Sequence, residues 1–75
     1  MKELVEFIAK SLADAPDAVV VKEEQEEEGI KITLQVADAD KGRIIGKQGR
    51  IAQAMRTLIR VKAAKAGIKA RLEIL

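Results

Sequence analysis

Seventy-five residues, 48% hydrophobic and 35% charged with Phe7 as the single aromatic, suffice for one small domain with an aliphatic core and are too few for a catalytic domain beside a recognition domain. Without cysteine or histidine the chain has no disulfide, no thiolate chemistry, none of the common zinc sites and no imidazole for proton transfer. Its net charge of +2 conceals a division: residues 1–40 carry four Lys and Arg against eleven Asp and Glu, a net −7, and residues 41–75 carry ten against one, a net +9.

The first segment, "MKELVEFIAKSLADAPD", threads charges through its apolar residues, so it lacks the apolar stretch of a signal peptide, and no run approaches membrane-spanning length. A reducing, cytoplasmic location is the expectation. Leu4, Val5, Ile8 and Leu12 recur at helical spacing and Pro16 stops the ladder, which predicts a helix over about residues 2–13. "AVVVKEEQ" and the strictly alternating "IKITLQV" predict two antiparallel strands, joined by "EEEG" with Gly29 free to take a positive φ. The acidic run Glu23 to Glu28 reads as a solvated hairpin tip. A short helix over Asp40 to Ile45, with Asp38 or Asp40 as its N-cap, precedes a long helix over Arg50 to Ala66. The closing "GIKARLEIL" alternates again, with Ile68, Ala70, Leu72 and Ile74 on one side.

The order α, β, β, α, α, β predicts a two-layer α+β fold: a three-stranded mixed sheet covered on one face by three helices and wet on the other. One domain spans residues 1–75.

Across the junction of the two later helices runs "GRIIGKQGR", residues 42–50, with three glycines and three cationic side chains and no Asp, Glu, Ser, His or Cys. Gly46 and Gly49 stand at the two helix junctions, so "GKQG" is a tight corner in which absent Cβ atoms let a phosphodiester approach the backbone. The free N–H groups of the long helix and the charges of Arg43, Lys47 and Arg50 favour an anion there. A triphosphate P-loop needs four residues between its glycines and a hydroxyl after the lysine, whereas three separate Gly42 from Gly46 and Gln48 follows Lys47. The dinucleotide fingerprint fails on spacing as well.

"IIGKQGR" within this element order resembles the KH domain of type II, and "DADKGRIIGKQGR" with the single small domain resembles the one-domain bacterial RNA-binding proteins of the KhpA family. The resemblance implies that Gly46, Lys47, Gln48 and Gly49 clamp the backbone of about four unpaired nucleotides. It further implies phosphate contacts from Arg43 and Arg50, and a groove whose apolar floor comes from Ile44, Ile45 and the strand residues Leu34 to Val36. Three residues after the second glycine, where many KH domains carry a branched aliphatic, this chain has Ala52, preceded by Ile51. Single-stranded RNA is the implied ligand, with single-stranded DNA as a possible substitute, and an RNA chaperone or post-transcriptional regulator is the implied role.

On the long helix, Ile51, Ala52, Met55, Leu58, Ile59, Ala63 and Ala66 form the expected buried stripe. Ala54 and Val61 fall outside it, one heptad apart, and are candidates for a helix-to-helix dimer interface. The resemblance implies a homodimer, or a heterodimer with a larger KhpB-like KH protein. Two rivals stand beside this reading: a helix-turn-helix binder of duplex DNA through Arg56 and Arg60, and an interaction scaffold without a nucleic-acid role. No nucleophile, base and orienting group assemble from this sequence, so no catalytic residue, metal ligand or cofactor is expected.

Overall fold

Leu4, Val5, Ile8, Ala9 and Leu12 share one side of a helix, and in the computed structural model, which describes residues 1–75, helix α1 spans Lys2–Leu12 with Val5 and Ala9 fully buried. It ends at Leu12 because Ala13 turns to an extended conformation (φ −77°, ψ 140°) ahead of Pro16, which begins a single turn of 3-10 helix, Pro16–Ala18. Strands β1 (Val20–Gln25) and β2 (Gly29–Gln35) form the expected antiparallel hairpin, with Val21 opposite Leu34 and Gln25 opposite Ile30. Helices α2 (Lys41–Ile45) and α3 (Arg50–Ala66) follow, and β3 (Lys69–Ile74) returns parallel to β2, Ile30 opposite Ala70 and Leu34 opposite Ile74.

The strand order β1-β2-β3 places β2 in the centre of a mixed sheet and makes β3 an edge. The alternation read from the sequence holds: Ile30, Ile32, Leu34 and Val36 are buried together with Val5, Ile44, Met55, Ile59 and Leu72. Burying each aliphatic side chain stabilises the fold by about 1.5–3 kcal/mol. This is the arrangement of a type II KH-like fold. The core contains no aromatic, since Phe7 points outward from α1 at 71% exposure.

Two local expectations are corrected. Gly29 is needed for close approach rather than for positive φ: it pairs with Lys69, and a Cβ there would overlap the Lys69 carbonyl oxygen. Leu58 is not part of the buried stripe, being 48% exposed, and Ala66 is exposed too, so the stripe of α3 narrows to Ala52, Met55, Ile59 and Ala63. The acidic run is an exposed hairpin tip, as expected, and two of its carboxylates also reach cations of β3. Glu26 Oε2 meets Arg71 Nη2 at 2.7 Å and Glu28 Oε2 meets Lys69 Nζ at 2.9 Å, while Lys31 Nζ meets Glu73 Oε2 at 2.9 Å on the open face. The hydrogen bond from Arg71 holds the Glu26 carboxyl below its ordinary value, and that from Lys31 does the same for Glu73.

Neither Asp38 nor Asp40 caps α2 through its side chain. Asp38 pairs with Lys41 at 3.2 Å, whereas Asp40, only 2% exposed, turns towards the end of α1. Its Oδ1 accepts from Asp14 N–H and its Oδ2 from Ala15 N–H, both at 3.1 Å. These are the backbone donors that Pro16 leaves outside any helix, and the carboxylate that satisfies them stands immediately before α2. One side chain therefore ties the exit of α1 to the entry of α2. Asp40→Ala should lower stability by about 2–3 kcal/mol in urea unfolding, because two part-buried donors lose their charged acceptor, and Asp40→Asn should lose less. An Asp40→Ala midpoint equal to the parent's would show that the clamp carries nothing.

Candidate nucleic-acid interface

Helix α2 is only five residues long, and the Gly46 N–H closes it on the Gly42 carbonyl at 2.9 Å. Gly46 then adopts φ 79°, ψ 175°, a region essentially closed to residues with a side chain. The close packing of Ile51 adds a second requirement, since a Cβ on Gly46 would stand 2.7 Å from Ile51 Cγ1. Gln48 (φ 57°, ψ 26°) and Gly49 (φ 72°, ψ 16°) are both left-handed, and the Gly49 N–H returns to the Gly46 carbonyl at 3.2 Å. Gln48 is the one residue other than glycine with positive φ. Helix α3 starts at Arg50 with no side-chain cap and no acidic residue in its first turn. Its first N–H groups thus end in a cationic loop without a carboxylate to occupy them.

Sequence-predicted site residues divide in the structure. Lys47, Gln48 and Arg50 are exposed around the corner, with Arg50 Nη2 3.5 Å from Gln48 Oε1. Arg43 Nη1 is 2.6 Å from Asp14 Oδ1, in a pair open to solvent. Ile45 is 38% exposed beside the loop, but Ile44 is fully buried in the core, as are Leu34 and Val36. Ile44, Leu34 and Val36 are therefore corrected from groove floor to core: α2 turns Ile44 onto the sheet, and β2 is the central strand, whose inward side chains the helices cover. Between the glycines and the core, Ala52 faces inward at 3% exposure and Ile51 packs under Gly46.

A cleft beside α3 lies farther along the same helix. Arg56, Ile59, Arg60, Ala70, Arg71 and Leu72 line a cleft of about 230 Å³ between α3 and the edge strand β3. Sequence reasoning gave Arg56 and Arg60 to a duplex-reading helix and did not assign them to this cleft. The signal was present: once a hairpin and a parallel return are both assigned to β2, β3 has to be an edge lying beside the helix that precedes it. Charge pairing singles out the same face. Of the ten cations from Lys41 to Arg71, Lys41, Arg43, Lys69 and Arg71 pair with carboxylates; Lys47, Arg50, Arg56, Arg60, Lys62 and Lys65 do not. Local neutralisation accounts for the ends of the basic block and leaves its centre, the loop and α3, uncompensated. No group of three or more His, Cys, Asp or Glu side chains could hold a metal ion, and no helix is long and apolar enough to cross a membrane.

A family model described as KhpA/KhpB, KH domain matches residues 2–74. The chain belongs to the KhpA/KhpB family of KH domains. It is 52% identical over 75 residues to RNA-binding protein KhpA of Clostridium perfringens, with all of both chains covered. Identity is 47% over 73 residues to RNA-binding protein KhpA of Borreliella burgdorferi, which covers 97% of this chain and 89% of that one. The protein of the same name from Aquifex aeolicus is 45% identical over 75 residues, all of this chain and 95% of that one. No solved structure matches the chain. The KhpA/KhpB match takes in the glycine corner, α3 and β3 together.

The corner's two glycines differ in what they tolerate. Gly46→Ala should destabilise the protein by about 2 kcal/mol or more, combining forbidden φ/ψ with the Ile51 clash. Gly49→Asn should cost a few tenths, since its left-handed conformation suits asparagine and no atom lies within 4 Å of the added Cβ. Thermal unfolding of the two variants checks this, and equal losses would contradict the geometry.

Proposed function

We propose that this chain is a non-catalytic, single-stranded RNA-binding protein of the cytoplasm that holds the sugar-phosphate backbone at Gly46, Lys47, Gln48 and Gly49. The observation that carries the reading is the conjunction at one corner: two left-handed residues expose the backbone, the α3 N-terminus is uncapped, and Lys47 and Arg50 have no carboxylate partner. Phosphate oxygens accept from the N–H groups and the cations, so this contact is independent of sequence and weakens with salt. The strand then continues along the α3–β3 cleft, where Arg56 and Arg60 supply charge and half-buried Ala70, backed by the buried Ile59 and Leu72, a small apolar wall. With no aromatic in that wall, base stacking contributes little, and broad, weak, salt-sensitive binding follows. Arg43 joins by exchanging Asp14 for a phosphate, and Ile45 packs on a neighbouring sugar or base. The relatives named RNA-binding proteins support this reading; the role of an RNA chaperone or post-transcriptional regulator is part of the same proposal, and single-stranded DNA would meet the same phosphate contacts.

A duplex-reading helix is a poorer fit. Arg56 and Arg60 line the cleft against β3, whereas a recognition helix presents its reading side chains outward to a groove.

Self-association, or pairing with a KhpB-like KH protein, belongs to the same proposal. Ala54, Leu58 and Val61 form an exposed stripe at i, i+4, i+7 on the outer side of α3, with Leu58 48% and Val61 52% exposed. Two linked weak sites gain effective concentration for one RNA.

Lys47→Asp with Gln48→Asp should weaken binding of a labelled unstructured RNA about tenfold or more, read by fluorescence anisotropy at two salt concentrations with the fold checked by circular dichroism. Parental affinity in a folded variant would move the site off the corner. Val61→Glu should convert a sedimenting dimer to monomer, and an unchanged mass, or a monomeric parent at high concentration, would remove the stripe from consideration.

A further inference from the structure

The acidic hairpin tip and the cations of β3 form an arrangement that RNA binding at the corner does not require. Glu26 Oε1 accepts from Arg71 Nε at 3.1 Å and Glu26 Oε2 from Arg71 Nη2 at 2.7 Å, and Glu28 holds Lys69. Ala70 and Leu72 face the helices, so Arg71 leaves the edge strand on the opposite face, where Glu26 draws its guanidinium towards the tip. Arg71 nonetheless borders both the cleft against α3 and the cleft at the tip. Because α3 runs away from the glycine corner and β3 returns after Gly67, Lys69 and Arg71 stand at the end of the groove remote from that corner. The pairs are not needed to close the hairpin. Backbone hydrogen bonds do that, Glu26 N–H to the Gly29 carbonyl at 2.8 Å and Gly29 N–H to the Glu26 carbonyl at 3.3 Å, and exposed ion pairs add little to stability.

We propose that the hairpin tip is a built-in polyanion mimic that closes the far end of the α3–β3 groove: Glu26 occupies the Arg71 guanidinium and Glu28 the Lys69 ammonium, which confines a bound strand to the segment nearest the glycine corner. This rests on the reading that the groove carries single-stranded RNA. The carboxylates offer the two cations what successive phosphates would offer, a bidentate acceptor for arginine and a point charge for lysine. A longer strand reaches these cations only by displacing the carboxylates, so length beyond the near segment adds little affinity.

Adjacent glutamates make the test specific. Glu26→Gln and Glu27→Gln each remove one negative charge from the same tip, but only Glu26 pairs with Arg71. Anisotropy titrations use labelled unstructured RNAs of about four and about twelve nucleotides. For the longer RNA, Glu26→Gln should bind about threefold tighter than the parent, with a salt slope steeper by about 0.7 because Arg71 neutralises one further phosphate. Glu27→Gln should stay near the parent, and in an Arg71→Gln background the tightening by Glu26→Gln should vanish. Equal tightening by both glutamines would overturn the proposal in favour of a diffuse charge effect, and parental affinity in a folded Glu26→Gln would overturn it outright. Failure of the parent itself to bind either RNA at low salt would instead overturn the RNA reading on which it rests.

Discussion

Strand β2 is paired along both edges, antiparallel to β1 and parallel to β3, while its inward side chains Ile30, Ile32 and Leu34 are almost wholly withdrawn from water. Every other element is placed by reference to it. A one-residue slip would turn those side chains out to the open face and Lys31, Thr33 and Gln35 into the core, so the register is fixed by burial on one side and charge on the other. With β2 set, α1 and α3 have one apolar layer to cover, and α2 bridges them through Ile44. The glycine corner is held out at the end of that layer. Its position depends on the core beneath it, through Ile51 and Ile44, and on the Asp40 clamp at the start of α2.

Most of this architecture was legible because periodicity and burial have the same cause. The strict alternation of "IKITLQV" and "GIKARLEIL", and the helical spacing of Leu4, Val5, Ile8 and Leu12, each record which side meets the core. What periodicity cannot record is the partner a polar group finds across the chain. Asp40 sits where an N-cap belongs, yet its carboxylate is claimed by Asp14 and Ala15, more than twenty residues earlier. The acidic run is solvated surface, as its composition says, but the ion pairs it makes depend on the parallel return of β3, which brings Lys69 and Arg71 to it. Isoleucine is similarly ambiguous in a short helix: Ile44 and Ile45 are neighbours in sequence, but one turn of α2 sends the first into the core and the second outward. The glycine corner itself was readable, since its spacing, flanking charge and helix junctions all lie within nine residues; the α3–β3 cleft was not, because it is made by residues some fifteen apart on α3 and β3.

The charge division of the sequence takes a definite form in three dimensions. Part of the basic half is neutralised by the acidic half in pairs at the hairpin tip and beside α2. The remainder is concentrated on the corner and α3. Segregation of this kind leaves a nearly neutral protein with a strongly directional field, which orients an approaching polyanion before contact.

The outer edge of β1 has a bearing on a different property. That strand has a neighbour on one side only, and such an edge offers its unpaired N–H and carbonyl groups to any extended chain. Lys22, Glu23, Glu24 and Gln25 all stand exposed along it, and five glutamate side chains crowd the last part of the strand and the turn beyond. Exposed charged side chains along such an edge oppose its pairing with another chain. In a domain this small, with so much of its aliphatic content committed to one layer, that charged edge disfavours extension of the sheet.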